Sequence, residues 1–219
     1  MPRSWEQLQI HYRPDVPDVP DAGVLLLPGG RSDGLAPPRR ANLPALRMAL
    51  FARALRRPLP RAVVASVRYR HRGWNGARAD PVTDARAALD ELAELVPGAP
   101  LLLVGHSMGA RAALAAAGRP SVVGVVALAP WCPPGDPVDQ LDGRRVLVLH
   151  DAADRVTSAA LAWEFAHRAA AAGAVVEAVL MTRGGHTMVR GARDWHRLTA
   201  EFAATVLGGA KAPGSWPPP

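Results

Sequence analysis

The sequence predicts an α/β protein: a doubly wound, mostly parallel sheet with helices on both faces. Three observations carry that prediction. Short continuous apolar runs, such as LLLV at 101–104 and VLVL at 146–149, are the pattern of strands buried on both faces. Segments of helical length, several of them rich in alanine, separate those runs, and such alternation implies crossover connections in a parallel sheet. One run ends in Gly105-His106-Ser107-Met108-Gly109, a glycine-flanked serine set between a strand and a helix.

Taken in order, residues 7–12 read as a first, edge strand, followed by the turn-rich 14–21. Strand 23–27 leads through the loop 28–38 to helix 43–56. Strand 61–68 and the loop 71–79 enter helix 81–95, which has proline in its first turn. Strand 100–104 and the serine turn precede the Ala-rich helix 108–118, which stops at Gly118. Next come strand 121–129, the Pro-rich loop 131–142, strand 145–150, helix 158–172, strand 174–181 and helix 191–207. The expected organisation is a single domain over 1–209 and a Pro-rich, disordered tail over 210–219. The dozen or so residues of 131–142 are too few for a separate cap. The site is therefore expected to be open, roofed by this loop and by 31–42 and 70–80.

Residues 105–109 fit G-x-S-x-G, the pattern of a nucleophile elbow. Glycine two residues either side of Ser107 is a steric requirement, because side chains there would strike the neighbouring strand and helix. A serine hydroxyl alone is a weak nucleophile, so it needs a base and a group to orient that base. The chain order expected is Ser, then Asp or Glu, then His. Asp151 and Asp154 follow the strand 145–150, and His186 follows the strand 174–181. Strand C-termini in an open parallel sheet meet at one crevice, so all three groups converge there.

With GHSMG at 105–109, D-x-x-D-R-V at 151–156, GGH at 184–186 and LLLPGG at 25–30, the chain resembles the α/β-hydrolase superfamily over roughly 20–207. The resemblance implies a capless serine esterase-like member. It also implies that the 28–30 loop supplies the first oxyanion donor, with Pro28 where the family usually has histidine. Asp151 stands where the family more often has glycine, which leaves Asp154 and Asp151 both open as partners of the histidine, with Asp136 a further candidate. His150 and His106 are the other histidines near these motifs; the first reads as structural, and the second lies inside the elbow itself.

The roles follow. Ser107 attacks a carbonyl carbon, His186 takes and returns the proton, and Asp154 holds the imidazole. The N–H groups of Gly30 and Met108 hold the oxyanion, with the neighbouring N–H of Arg31 as the alternative donor. The charge of Arg31 could instead meet an acidic substrate group. Trp74 and Trp131 are candidates to line the substrate pocket. The implied substrate is a small soluble ester or thioester, and the chemistry calls for no metal and no organic cofactor. The competing class is a binding module on the same fold without turnover. Haloalkane or epoxide hydrolysis on this fold needs an aspartate at the elbow, where this chain has Ser107.

Composition narrows the partners. The formal charge of +7 comes from arginines spread singly or in pairs, with no basic stripe interleaved with aromatics, so a nucleic-acid partner is not expected. No apolar run approaches the length of a membrane span, and the N-terminal residues lack a signal-peptide core, so the expectation is a cytoplasmic protein with no membrane partner. Cys132, the single cysteine, excludes an intramolecular disulfide and reads as a small buried hydrophobe.

Overall fold

The computed structural model describes residues 7–14, 19–39 and 42–208; the expected disordered tail and part of the turn-rich segment after the first strand lie outside them. Seven strands form one sheet in the order β1-β3-β2-β4-β5-β6-β7. They are β1 (Leu8–Tyr12), β2 (Ala22–Leu27), β3 (Ala62–Val67), β4 (Leu101–His106), β5 (Val122–Leu128), β6 (Arg145–Asp151) and β7 (Val175–Met181). All neighbours pair in parallel except β1, which runs antiparallel to β3 at one edge. The sequence reading anticipated the edge position of β1; its direction depends on which strand it finds.

The five helices are α1 (Leu43–Arg56), α2 (Asp80–Leu95), α3 (Met108–Ala116), α4 (Ala159–Ala171) and α5 (Ala192–Leu207). They sort to the two faces by the period-2 alternation of the strands. On β2, Val24 and Leu26 pack with Met48 and Phe51 of α1 and Trp195 and Phe202 of α5. Leu25 and Leu27 pack instead with α2, α3 and α4, against Leu89, Ala113 and Phe165. Both faces of the central strands are thus covered, which explains their unbroken apolar runs. The last strand differs: β7 is half-exposed, with Val175 and Leu180 open to solvent, because it closes the other edge of the sheet.

Helix starts are locally encoded. Asn42 caps α1 by accepting from the Ala45 N–H at 2.9 Å, and Ser158 caps α4 through the Leu161 N–H at 3.3 Å. Helix α3 ends at Ala116, two residues before the predicted stop. No described helix is long and apolar enough to cross a membrane. Parallel pairing brings the loops after β2, β3, β4, β6 and β7 to one edge of the sheet, where the sequence placed its reactive groups.

Candidate active site

Ser107 occupies the single residue between β4 and α3, with φ 56° and ψ −119°. A non-glycine residue holds such a conformation only when its surroundings impose it. Here they do. The Ser107 N–H is bonded to the Leu128 carbonyl of β5 at 3.0 Å, and its own carbonyl receives the Ala110 and Arg111 N–H groups at 3.1 and 3.2 Å. A methyl group on Gly105 would lie 2.5 Å from Ala110 Cα, and one on Gly109 would collide with the Leu27 and Pro28 carbonyls. Both flanking glycines are therefore steric necessities of the turn, as the sequence pattern implied.

His186 lies in a one-turn 3-10 helix, Gly185–Thr187, just past β7, and its side chain is 15% exposed. Its Nδ1–H donates to Asp154 Oδ2 at 2.9 Å. Asp154 lies past β6, and its carboxylate is closed off from solvent. Four donors converge on that carboxylate. The N–H groups of Val156 (2.7 Å) and Thr157 (3.1 Å) meet Oδ1, while His186 and the Thr157 hydroxyl (2.9 Å) meet Oδ2. Burial pushes the Asp154 pKa up, but the Val156 N–H, His186 and the Thr157 N–H together hold it below the usual carboxylate range.

Asp151, the other carboxylate left open by the sequence, is bonded elsewhere. Its Oδ2 accepts the Gly185 N–H at 2.7 Å and its Oδ1 the Ala153 N–H at 2.8 Å. It ties the loop after β6 to the loop after β7 through main-chain donors. Asp136 is removed from His186 in a different way, gripping Arg111 with two bonds of 2.7 Å.

Two histidines support the arrangement. His106 is buried against His186, with ring centroids 4.8 Å apart, and its Nε2 bonds the His186 carbonyl at 2.9 Å. A carbonyl only accepts, so Nε2 carries the proton and Nδ1 is left to face Arg47 Nη1 at 3.5 Å. Burial, with His186 and Arg47 nearby, pushes the His106 pKa down to about 3. His150 is fully buried; its Nδ1 bonds the Asp151 carbonyl at 3.2 Å and its Nε2 lies 3.2 Å from the Thr157 hydroxyl. The reading of His150 as structural agrees with that setting.

Thr157 was not foreseen. Its buried Oγ1 lies 2.9 Å from Asp154 Oδ2, 3.2 Å from His186 Nδ1, and 3.2 Å from the Ala129 carbonyl. Only its position three residues after Asp154 hinted at a role, since a side chain there can turn back onto the carboxylate.

The loop after β2 is clamped to the loop after β3. Arg31 N–H bonds the Arg72 carbonyl at 2.9 Å, Trp74 N–H the Arg31 carbonyl at 2.9 Å, and Gly73 N–H the Gly34 carbonyl at 3.0 Å. Since the Arg31 N–H is engaged, it is not free to bind an oxyanion. Gly30 presses on Met108, whose Sδ would lie 2.5 Å from a methyl group placed there. The 28–30 loop thus packs on the Met108 side chain, and Met108, as the first residue of α3, has no intrahelical acceptor for its N–H.

Trp74 and Trp131 form an edge-to-face pair with centroids 6.0 Å apart, and both stack on Arg111, at 3.8 and 4.5 Å. The main chain of Trp131 reaches the elbow, its backbone N–H bonding the Ser107 carbonyl at 3.3 Å. Trp74 is buried and borders a cavity of about 380 Å³ on the α2–α3–α4 flank, whose lining includes Arg111 and Phe165 but neither Ser107 nor His186. Cys132 is buried beneath this cluster; burial and Asp136 push its thiol up to about 12, so it is not a ready nucleophile.

With this geometry in place, comparison with known proteins is informative. The sequence matches a family model described as serine aminopeptidase, S33, over residues 66–145, a stretch that holds the elbow. No curated protein matches the chain in sequence. Among solved structures, it is similar to MGS-M1, an α/β hydrolase enzyme from a Medee basin deep-sea metagenome library (19% identity, 92% of each chain, TM-score 0.71). Est1E from Butyrivibrio proteoclasticus superposes over 92% of this chain and 93% of that one, with 12% identity and a TM-score of 0.67. An esterase from Pyrococcus furiosus covers 86% and 84%, with 16% identity and a TM-score of 0.67. The fold is that of the α/β hydrolases, the superfamily whose motifs the sequence resembles.

Proposed function

We propose that the chain is a serine hydrolase that cleaves a carboxylic ester or thioester of a small, soluble substrate through an acyl-serine intermediate. One observation carries the reading: the Asp154–His186 hydrogen bond at 2.9 Å, beside a serine held on a strained elbow. The names of similar structures, esterases among them, agree with it.

Asp154 fixes the imidazole with its proton on Nδ1, which leaves Nε2 to act as base. Ser107 Oγ attacks the carbonyl carbon as its proton passes to His186 Nε2. The oxyanion rests between the N–H groups of Met108 and Gly30, the former at the positive end of α3. Each such donor contributes a factor of about 10²–10³ in rate. His186 returns the proton to the departing alcohol or thiol, and water repeats the sequence on the acyl-serine. Trp131, whose main chain bonds the Ser107 carbonyl, is our candidate for the pocket wall, with Trp74 packed edge-to-face against it.

The test is fluorophosphonate labelling with a burst assay on 4-nitrophenyl acetate and butyrate, beside Ser107→Ala. Labelling and a burst that vanish in the variant are the expected result. An aminoacyl 4-nitroanilide belongs in the same panel, because the matched family model carries a peptidase name. A wild-type protein that neither labels nor turns over any of these is a binding module.

A further inference from the structure

Arginine is abundant in this chain, and away from the site several arginines are matched by a carboxylate. Arg61 pairs with Asp21, Arg119 with Asp90, Arg145 with Glu177 and Arg197 with Glu201. At the rim of the site the exposed charge is almost all positive. Arg31, Arg72, Arg155, Arg183 and Arg190 are exposed on the loops after β2, β3, β6 and β7, and among the described residues none has a carboxylate partner. On those same loops Asp33 is the one exposed carboxylate among the described residues, since Asp154 is closed off and engaged with His186.

Arg47 makes the imbalance specific. It projects from the second turn of α1, and its guanidinium approaches the imidazole of His106 at 3.5 Å. His106 in turn stacks on His186 and lies against Gly29, where a methyl group would sit 3.0 Å from its Nδ1. The Arg47 head group thus stands at the gap between the Gly29–Gly30 loop and the His186 loop. It is partly buried, and no carboxylate faces it among the described residues. Burial lowers its pKa, as expected of a cation withdrawn from water without a counter-charge. A neutral imidazole nitrogen at that distance compensates little of the cost.

We propose that the substrates are esters carrying a second, ionised carboxylate, which Arg47 binds at this gap while the rim arginines draw it in. The proposal rests on the serine-hydrolase reading above and names its substrate class. A guanidinium presents its donors as a fork that matches a carboxylate with two parallel bonds. A cationic rim raises the local concentration of an anion and its rate of encounter, and salt weakens that effect.

The experiment compares kcat/KM for two charged esters, each with a neutral counterpart. Mono-4-nitrophenyl succinate against 4-nitrophenyl butyrate places the carboxylate on the acyl side. A 4-carboxyphenyl butyrate against its carboxamide places it on the leaving group. All four are measured at low and high salt, in wild type and Arg47→Gln, and normalised to their alkaline hydrolysis rates. One charged ester should be favoured about tenfold at low salt, and the ratio should fall several-fold in high salt and in Arg47→Gln. Should Arg47→Gln not fold, the double variant Arg31→Gln/Arg155→Gln, altered only on exposed loops, should lower the same ratio. Turnover of the neutral esters with no preference for either charged one overturns the substrate class alone. So does a preference that survives both salt and substitution. Absence of all turnover and of fluorophosphonate labelling overturns the underlying reading, and this one with it.

Discussion

The proton on His106 Nε2 is shared with the main-chain carbonyl of His186 at 2.9 Å. The residue preceding the elbow serine thus holds the backbone of the loop that carries the proposed base. Burial, with His186 and Arg47 nearby, keeps His106 neutral against the pull of this hydrogen bond, and that links the site to pH.

Acid should therefore destabilise the fold through His106. In the unfolded chain a histidine titrates near 6.5, whereas the buried His106 titrates at about 3. Between those values the unfolded state binds the extra proton, so stability is complete above pH 6.5 and falls as pH drops toward 3. The slope approaches about 1.4 kcal/mol per pH unit for this one group. His150, His11 and His196, whose pKa values burial also lowers, add to it in the same direction. Urea unfolding at a series of pH values should show His106→Gln with a shallower acid slope by nearly one proton. Equal slopes in the two proteins would refute the assignment.

The elbow stores strain that substitution can release. Ser107→Gly should be more stable than Ser107→Ala by about 1–3 kcal/mol, because both lack the hydroxyl and only alanine keeps the unfavourable Cβ at φ 56°. Thermal unfolding of the pair reads this directly; a more stable alanine variant contradicts the strained backbone.

The two aspartates at the end of β6 and in the loop after it should separate by their effect on kcat. Asp154→Asn should cut kcat by about 10³–10⁴-fold, since it disturbs the imidazole's orientation, and should also lower the melting temperature, because an amide replaces only one of the two oxygens that meet four donors. Asp151→Asn should cost about 1–3 kcal/mol of stability, because an amide can replace only one of the two accepting oxygens that meet Gly185 and Ala153. Exchange of the two phenotypes would reverse their roles.

Thr157 is a positioning residue for Asp154 and His186. Thr157→Val removes the hydroxyl donor from the carboxylate, so the Asp154 pKa should rise and acid loss of activity should begin at higher pH. Thr157→Ser keeps the hydroxyl and should leave the acid limb in place. If valine and serine variants share one pH profile, the hydroxyl only fills space.

Much of this was legible in the chain because it is written locally. A continuous apolar run at 101–104, glycines at 105 and 109 and an Ala-rich stretch after them each depend on neighbours in sequence, so strand, turn and helix could be placed without a partner. The meeting of Ser107, an aspartate and His186 was expected from parallel strands whose ends share one edge. Harder to see were contacts between side chains far apart in sequence. Asp151 and Asp154 look alike in a loop, and only the arrival of Gly185 and His186 from β7 gives each its partner. Trp74, Trp131 and Arg111 come from three different segments, and their stacking is set by how α3 packs beside the loop after β3.

Period and turn chemistry are properties of neighbouring residues, so the sequence by itself determined the alternating strands and helices and the elbow, and it named the candidate reactive groups. Direction of a hydrogen bond, burial of a charge and the pKa that results depend on which distant atoms close around a group. The tertiary structure alone therefore decided that Asp154 meets the imidazole, that Thr157 and His106 brace it, and that Arg47 of α1 approaches His106 beside it.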